Sequence, residues 1–250
     1  MNTRQIFAIV SATFLGACAF AAHVDDHAVA GEEKSAKSRM LGIGSEILQG
    51  EGPVRAIHAH LCGFHFYNGE IDRAVRAHHY CTHLNEDVFQ CVIYDSDKRD
   101  ARLIGVEYVI SERLFQQLPA EEKKLWHSHR YEVKSGQLLA PGLPDAAEKA
   151  LMEQLVNTYG KTWHFWQVDR GDKLPLGLPK LMMGFTDDGQ ADPAMVRARD
   201  KDLNIDSNKV RAKRADIPTK PIAEGADAWQ RGEIVQIPDA FWETAQPAAP

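Results

Sequence analysis

The chain has 250 residues and a mass of 27.9 kDa, enough for one or two domains. Hydrophobic residues make up 44%, charged residues 26%, and mean hydropathy is -0.36, which excludes a multi-span membrane protein. Lys+Arg total 29 against Asp+Glu 35, a net charge of -6, so no nucleic-acid partner is expected; four cysteines are too few for a small disulfide scaffold.

In chain order, Met1–Gln5 carries Arg4, and Ile6 to Ala22 is free of charge. That run is short of the ~20 apolar residues that span a bilayer and has the flanks of a secretory signal. The expectation is a signal peptide over residues 1–22. Ala19-Phe20-Ala21 fits ordinary cleavage, whereas Leu15-Gly16-Ala17-Cys18 fits a bacterial lipobox, the favoured reading, with Cys18 as the lipidation site. Either reading exports the protein, as a periplasm-facing lipoprotein of the bacterial cell envelope or to the periplasm or medium. The expected partner is then a membrane surface, reached through the lipid anchor. Residues 23–52 read as a polar tether, 53–203 as the folded body and 204–250 as a C-terminal extension. In the extension Lys209, Arg211, Lys213 and Arg214 read as a solvated linker. Trp229, Ile234, Ile237, Phe241 and Trp242 suggest that the tail docks on something.

Within the body, Phe89–Tyr94 and Arg102–Ile110 predict an antiparallel hairpin around the polar Asp95–Asp100. Ser111 predicts a helix cap, and Pro119 the start of a second short helix. Tyr131–Val133, Trp163–Val168 and Leu181–Phe185 read as strands. Ala146–Tyr159, behind Asp145 and Glu148 and before Gly160, reads as the main helix, and Ala194–Leu203 as the last. The expected fold is α+β: a single domain with an antiparallel or mixed sheet packed by helices, and flexible N- and C-terminal arms.

Nine of the eleven histidines lie between His58 and His164. His79 and His83, if helical, share one side at i, i+4. His127 and His129, if extended, share one face of a strand. Glu132 follows three residues later. Two imidazole pairs facing each other suit a divalent transition metal, with zinc as the default. The expected site is His79, His83, His127 and His129 with Glu132 as ligand or supporting acceptor, and His78 competing with His79. His58, His60 and His65 are set aside as ligands, and His164 reads as a sheet histidine. Tyr80 stands where a zincin has its Glu, so no general base is built in, and there is no G-x-S-x-G, Walker A or complete dinucleotide motif. Cys62, Cys81 and Cys91 form no C-x-x-C; one disulfide plus one thiol and three thiols both remain open.

Longer stretches carry a resemblance. His60–Tyr67, Ala77–Cys81, Gln90–Asp97, Leu125–His129, Tyr131–Gly136, Tyr159–Thr162, His164–Asp172 and Leu174–Pro179 resemble the oil body-associated protein family over about residues 45–204. Plant members of that family are associated with seed lipid droplets, and bacterial members carry a domain of unknown function. The resemblance implies no catalytic residues or activity. The export signal and the C-terminal extension depart from the plant pattern. Two functions follow: a non-enzymatic envelope protein working at a lipid surface or as a structural partner, or a periplasmic metal-binding protein or metal-dependent enzyme built on the histidines.

Overall fold

From Ala59 to Ser111 the chain is almost wholly extended. A computed structural model describes residues 35–40 and 52–238. The expectations for the signal peptide, for Cys18 and for most of the tether lie outside the described residues. Strands β1 (Ala59–Tyr67), β2 (Glu70–Asn85), β3 (Val88–Tyr94) and β4 (Leu103–Ser111) form an antiparallel meander. After a helical crossover come β5 (His127–Ser128), β6 (Thr158–His164) and β7 (Lys180–Met183). The order β4-β3-β2-β1-β7-β6 returns on itself because β6 also pairs β4, from Gly105 with His164 to Ser111 with Thr158. Six antiparallel strands thus close a barrel, and β5 adds a seventh, pairing His127 with Gly160.

This overturns the α+β expectation. A closed sheet, rather than a sheet packed by helices, encloses the core. The segment from Ala77 to His83, whose histidine spacing suggested a helix, lies inside the 16-residue β2. Spacing of four is even, so it keeps two residues on one face of a strand as well. Val75, Tyr80 and Thr82 are β-branched or aromatic residues that favour the strand. Tyr131–Val133 belongs instead to a short helix, α3 (Arg130–Ser135), after α1 (Glu112–Gln116) and α2 (Ala120–Lys123). The main helix, α4 (Asp145–Leu155), stops before Thr158, and Tyr159 and Gly160 enter β6. The C-terminal arm is not free either. Beyond α5 (Pro193–Leu203), α6 (Ser207–Lys213) and the chain up to residue 238 lie on the barrel, burying Arg214, Ile217, Ala226, Asp227 and Ala228.

Strand alternation sorts the interior into layers. Leu61, Cys81, Phe89, Cys91 and Val109 point inward at one end, where Met152, Leu155 and Val156 of the α4 segment cover them together with Val133 and Leu138. At the other end Ala77, Ile93, Ile104 and Trp166 form one apolar group, and Tyr67, Val75 and Met182 another. β1 is buried on both faces, since Phe64 and Phe66 pack outward against Leu181, Met183, Phe185 and Trp229. That is why its sequence runs apolar without alternation. Between the apolar ends lies a layer of buried histidines and glutamates.

Candidate metal centre

Four of the six barrel strands contribute to this polar layer from their inward faces. β1 supplies His65, β2 His79, β4 Glu107 and β6 His164; β5 and the turn after it supply His127 and His129, and α3 supplies Glu132. None of the seven is more than 4% exposed. Glu107 is the hub. Its Oε2 lies 2.9 Å from His79 Nε2, and its Oε1 lies 3.3 Å from His129 Nε2 and 3.4 Å from His127 Nε2. Glu132 Oε2 stands 3.9 Å from His127 Nε2. His65 Nδ1 and His164 Nε2 share a hydrogen bond of 3.3 Å behind them.

The room for this crowd comes from glycines. A Cβ on Gly160 would stand 2.0 Å from Glu107 Oε1 and 2.8 Å from the His127 ring; one on Gly184 would stand 2.8 Å from Glu132 Oε2. Any larger residue at either position would occupy the centre of the site. A void of about 20 Å³, of the size that one water fills, lies beside Glu107, His65, His79, His129 and Glu132.

The electrostatics follow from burial and the hub. Burial opposes ionisation of Glu107, but the imidazoles of His127, His129 and His79 clustered on it outweigh burial and hold the carboxyl well below the usual range. Burial pushes the Glu132 carboxyl up to about 8. Burial lowers His65 and His129, and takes His164 down to about 3. His127 is also buried, yet the Glu107 carboxylate raises it.

Hydrogen bonding leaves a mismatch at the centre. Thr158 Oγ1 donates to Leu155 O at 2.7 Å, so it must accept from His129 Nδ1 at 2.8 Å. In the neutral ring Nε2 then carries a lone pair, and that lone pair faces the Glu107 carboxylate. Both ring nitrogens of His79 and of His127 are buried without an aligned hydrogen-bond partner. Buried polar atoms are rarely left so. Such donors, carboxylate oxygen and imidazole nitrogen, are ligands for Zn, Fe, Ni or Cu.

The structure brings His79, His127, His129 and Glu132 together and leaves His83 apart. His83 lies two turns of the pleat further along β2, stacked on Phe89 with ring centroids 3.9 Å apart, and lines a surface cleft with Glu86 and Asp87. His78 faces outward, bonded to His60 at 3.1 Å. His65, His164 and Glu107 join the site although sequence reasoning set the first two aside and did not single out the third. The alternation Gly105-Val106-Glu107-Tyr108-Val109 carried the signal, because it puts a lone carboxylate on the same face as an inward valine.

The barrel and its interior define a class of protein with a buried histidine–glutamate layer. Residues 51–218 match the family model described as protein of unknown function (DUF1264). Oil body-associated protein 1A of Zea mays is 48% identical over 214 residues, 84% of this chain and 90% of its own length. Oil body-associated protein 1B of Arabidopsis thaliana is 43% identical over 215 residues, 84% and 89%. Oil body-associated protein 2A of Zea mays is 44% identical over 209 residues, 80% and 81%. The chain therefore belongs to the oil body-associated protein (DUF1264) family. No solved structure matches it.

Proposed function

We propose that the barrel is a metal-binding centre that holds one divalent transition-metal ion on Glu107, His127 and His129, with the Glu132 carboxylate as a fourth ligand in reach. The observation that carries this reading is the acceptor pair His129 Nε2 and Glu107 Oε1, 3.3 Å apart. Two acceptors at that separation repel unless a cation joins them. Two metal–ligand bonds of about 2.0–2.2 Å spanning it meet close to the tetrahedral angle. The same carboxylate oxygen lies 3.4 Å from His127 Nε2, which brings a second imidazole nitrogen within reach of one ion. His79 Nε2, 2.9 Å from the other carboxylate oxygen, stands in the position of an outer partner of a metal ligand. Zinc is the default ion. Elemental analysis of untagged protein should find close to one ion per chain, and Glu107→Gln and His127→Ala should each lose it. Wild-type protein without metal after exposure to Zn(II), Co(II) and Fe(II) would end this reading.

A second reading is work at a lipid surface, as the relatives' name suggests. A feature of the β6–β7 loop favours it. Phe165, Leu174 and Leu176 are 44%, 45% and 54% exposed, on the loop that leaves the barrel at the end opposite α4. No helix among the described residues is long and apolar enough to cross a membrane. Flotation with phosphatidylcholine vesicles should carry the wild type and not Leu174→Asp/Leu176→Asp; equal flotation excludes the loop. The anchor at Cys18 and export to the cell envelope are proposals tested separately, by whether Cys18→Ala moves the protein from the membrane to the soluble fraction.

A further inference from the structure

The wall of the void also holds sulfur. Cys81 and Cys91 are cross-strand neighbours on β2 and β3, joined as a disulfide and almost wholly buried. Both line the same void as Glu107, His79, His129 and Glu132. Their placement is fixed by register. Cys91 pairs directly with Glu107 across β3 and β4, and Cys81 follows His79 by two residues on the same face of β2. Directly opposite residues on antiparallel strands hold their Cβ atoms about 4.5–5.5 Å apart. The row Cys81, Cys91, Glu107, Thr162 therefore crosses four strands at one level of the barrel. Cys62, the free thiol among the described residues, takes no part, because it lies on the opposite face of β1 beside His78.

We propose that Cys81 and Cys91 are reserve ligands of the barrel centre, withheld while the disulfide is intact and released when a dithiol reduces it. The inference rests on the metal-binding reading above. Reduction breaks the S–S bond. Two electrons and two protons pass from the dithiol reductant, which becomes a cyclic disulfide, and two protein thiols are left facing the void. Binding a metal then displaces one proton from each coordinating thiol to solvent. The oxidised centre offers nitrogen and oxygen, whereas the reduced centre adds soft sulfur. Its preference should shift toward thiophilic ions.

Full-length protein and Co(II) alone test this. Oxidised protein should bind Co(II) without sulfur-to-cobalt charge-transfer absorption. Protein refolded in dithiothreitol, with its thiols counted by mass spectrometry, should show that band. It should also favour Cd(II) over Co(II) more strongly than the oxidised form does. Cys81→Ser/Cys91→Ser should bind Co(II) under the same conditions with neither change. Cys81→Ser alone needs no reductant and frees Cys91, so it should show a weaker sulfur band even if the reduced wild type fails to refold. Co(II) bound with identical spectra in the oxidised, reduced and Cys81→Ser proteins would overturn the proposal and leave the metal centre standing. No Co(II) in any form would overturn the proposal, and the metal centre with it once Zn(II) and Fe(II) also fail to bind.

Discussion

Single atoms decide what the barrel can hold. Gly160 lies on β6 where the backbone passes under Glu107 and His127, and its missing Cβ is the space the carboxylate uses. Gly160→Ala should cost about 1–3 kcal/mol through overpacking and should also abolish metal uptake, since the methyl displaces the hub. Thermal unfolding and elemental analysis of the same preparation check both. Cys62 makes the opposite case, a reactive group disabled by its surroundings. It is fully buried, and burial raises its thiol to about 11. The thiolate is the reactive species, so native protein at neutral pH should leave Cys62 unmodified by iodoacetamide, and urea should expose it. Peptide mapping before and after unfolding reads the difference; labelling of the native protein at Cys62 would contradict the placement.

Among the elements, the connections around α3 hold the site in position as much as the strands do. Arg199 of α5 is wholly buried and donates to Gln137 O at 2.7 Å and Gly136 O at 3.2 Å. Its guanidinium lies 4.8 Å over the Phe64 ring. Arg214 donates to Val133 O at 2.6 Å and Leu138 O at 2.8 Å, and pairs with Glu148. Together they fasten the turn that follows Glu132. Arg199→Ala strands these carbonyls and Asp200, and should lower the urea-unfolding free energy by about 3–5 kcal/mol. Elements with strong local signals were legible in the sequence. The β3–β4 hairpin, the Ser111 cap, Pro119 ahead of α2 and the Asp192-capped α5 all stand within a few residues of expectation. Closure was not legible, because it depends on the long-range pairing of β4 with β6 and of β1 with β7. β1 and β2 were hidden for a physical reason: buried on both faces or rich in histidine, they lack the polar–apolar alternation by which strands are read. Pair spacing drew His79, His127, His129 and Glu132 from the sequence. It could not draw Glu107, the one charged residue of β4, or His65, set between Phe64 and Phe66 on β1 with no second histidine at matching spacing on its face. It wrongly added His83, because same-face residues four apart in a strand are some 13 Å apart along it.

The molecule as a whole is held by its C-terminal segment. Asp227, beyond the end of the family match at residue 218, accepts from Ser128 N at 2.9 Å and from Ser128 Oγ at 2.6 Å. Ser128 follows His127, so a residue about a hundred positions away sets where a proposed ligand stands. Asp227→Ala leaves two buried donors unpaired, at about 1–3 kcal/mol, and should weaken metal binding about 10–100-fold while far-UV dichroism stays unchanged. Competition against a chelating dye measures that loss. Unchanged affinity would mean that β5 holds its position without the tail.

The seam between β1 and β7 has a kinetic meaning. β1 pairs β2 from Ala59 to Tyr67, but meets β7 only at Phe66–Met183 and Tyr67–Met182. The tail reinforces that short seam: Gln236 Oε1 accepts from Leu181 N at 2.9 Å, and Gln236 Nε2 donates to Leu181 O at 2.9 Å and to Asn68 O at 3.2 Å. A ring opens at its weakest joint, so sub-global opening should begin there. Solvent and ions would then exchange with the interior through this seam, with Gln236 as its latch. Gln236→Ala should speed amide exchange at Leu181 and Met182 first, and quicken chelator-driven loss of any bound ion in parallel, while exchange across the β2–β3–β4 wall stays at its global rate.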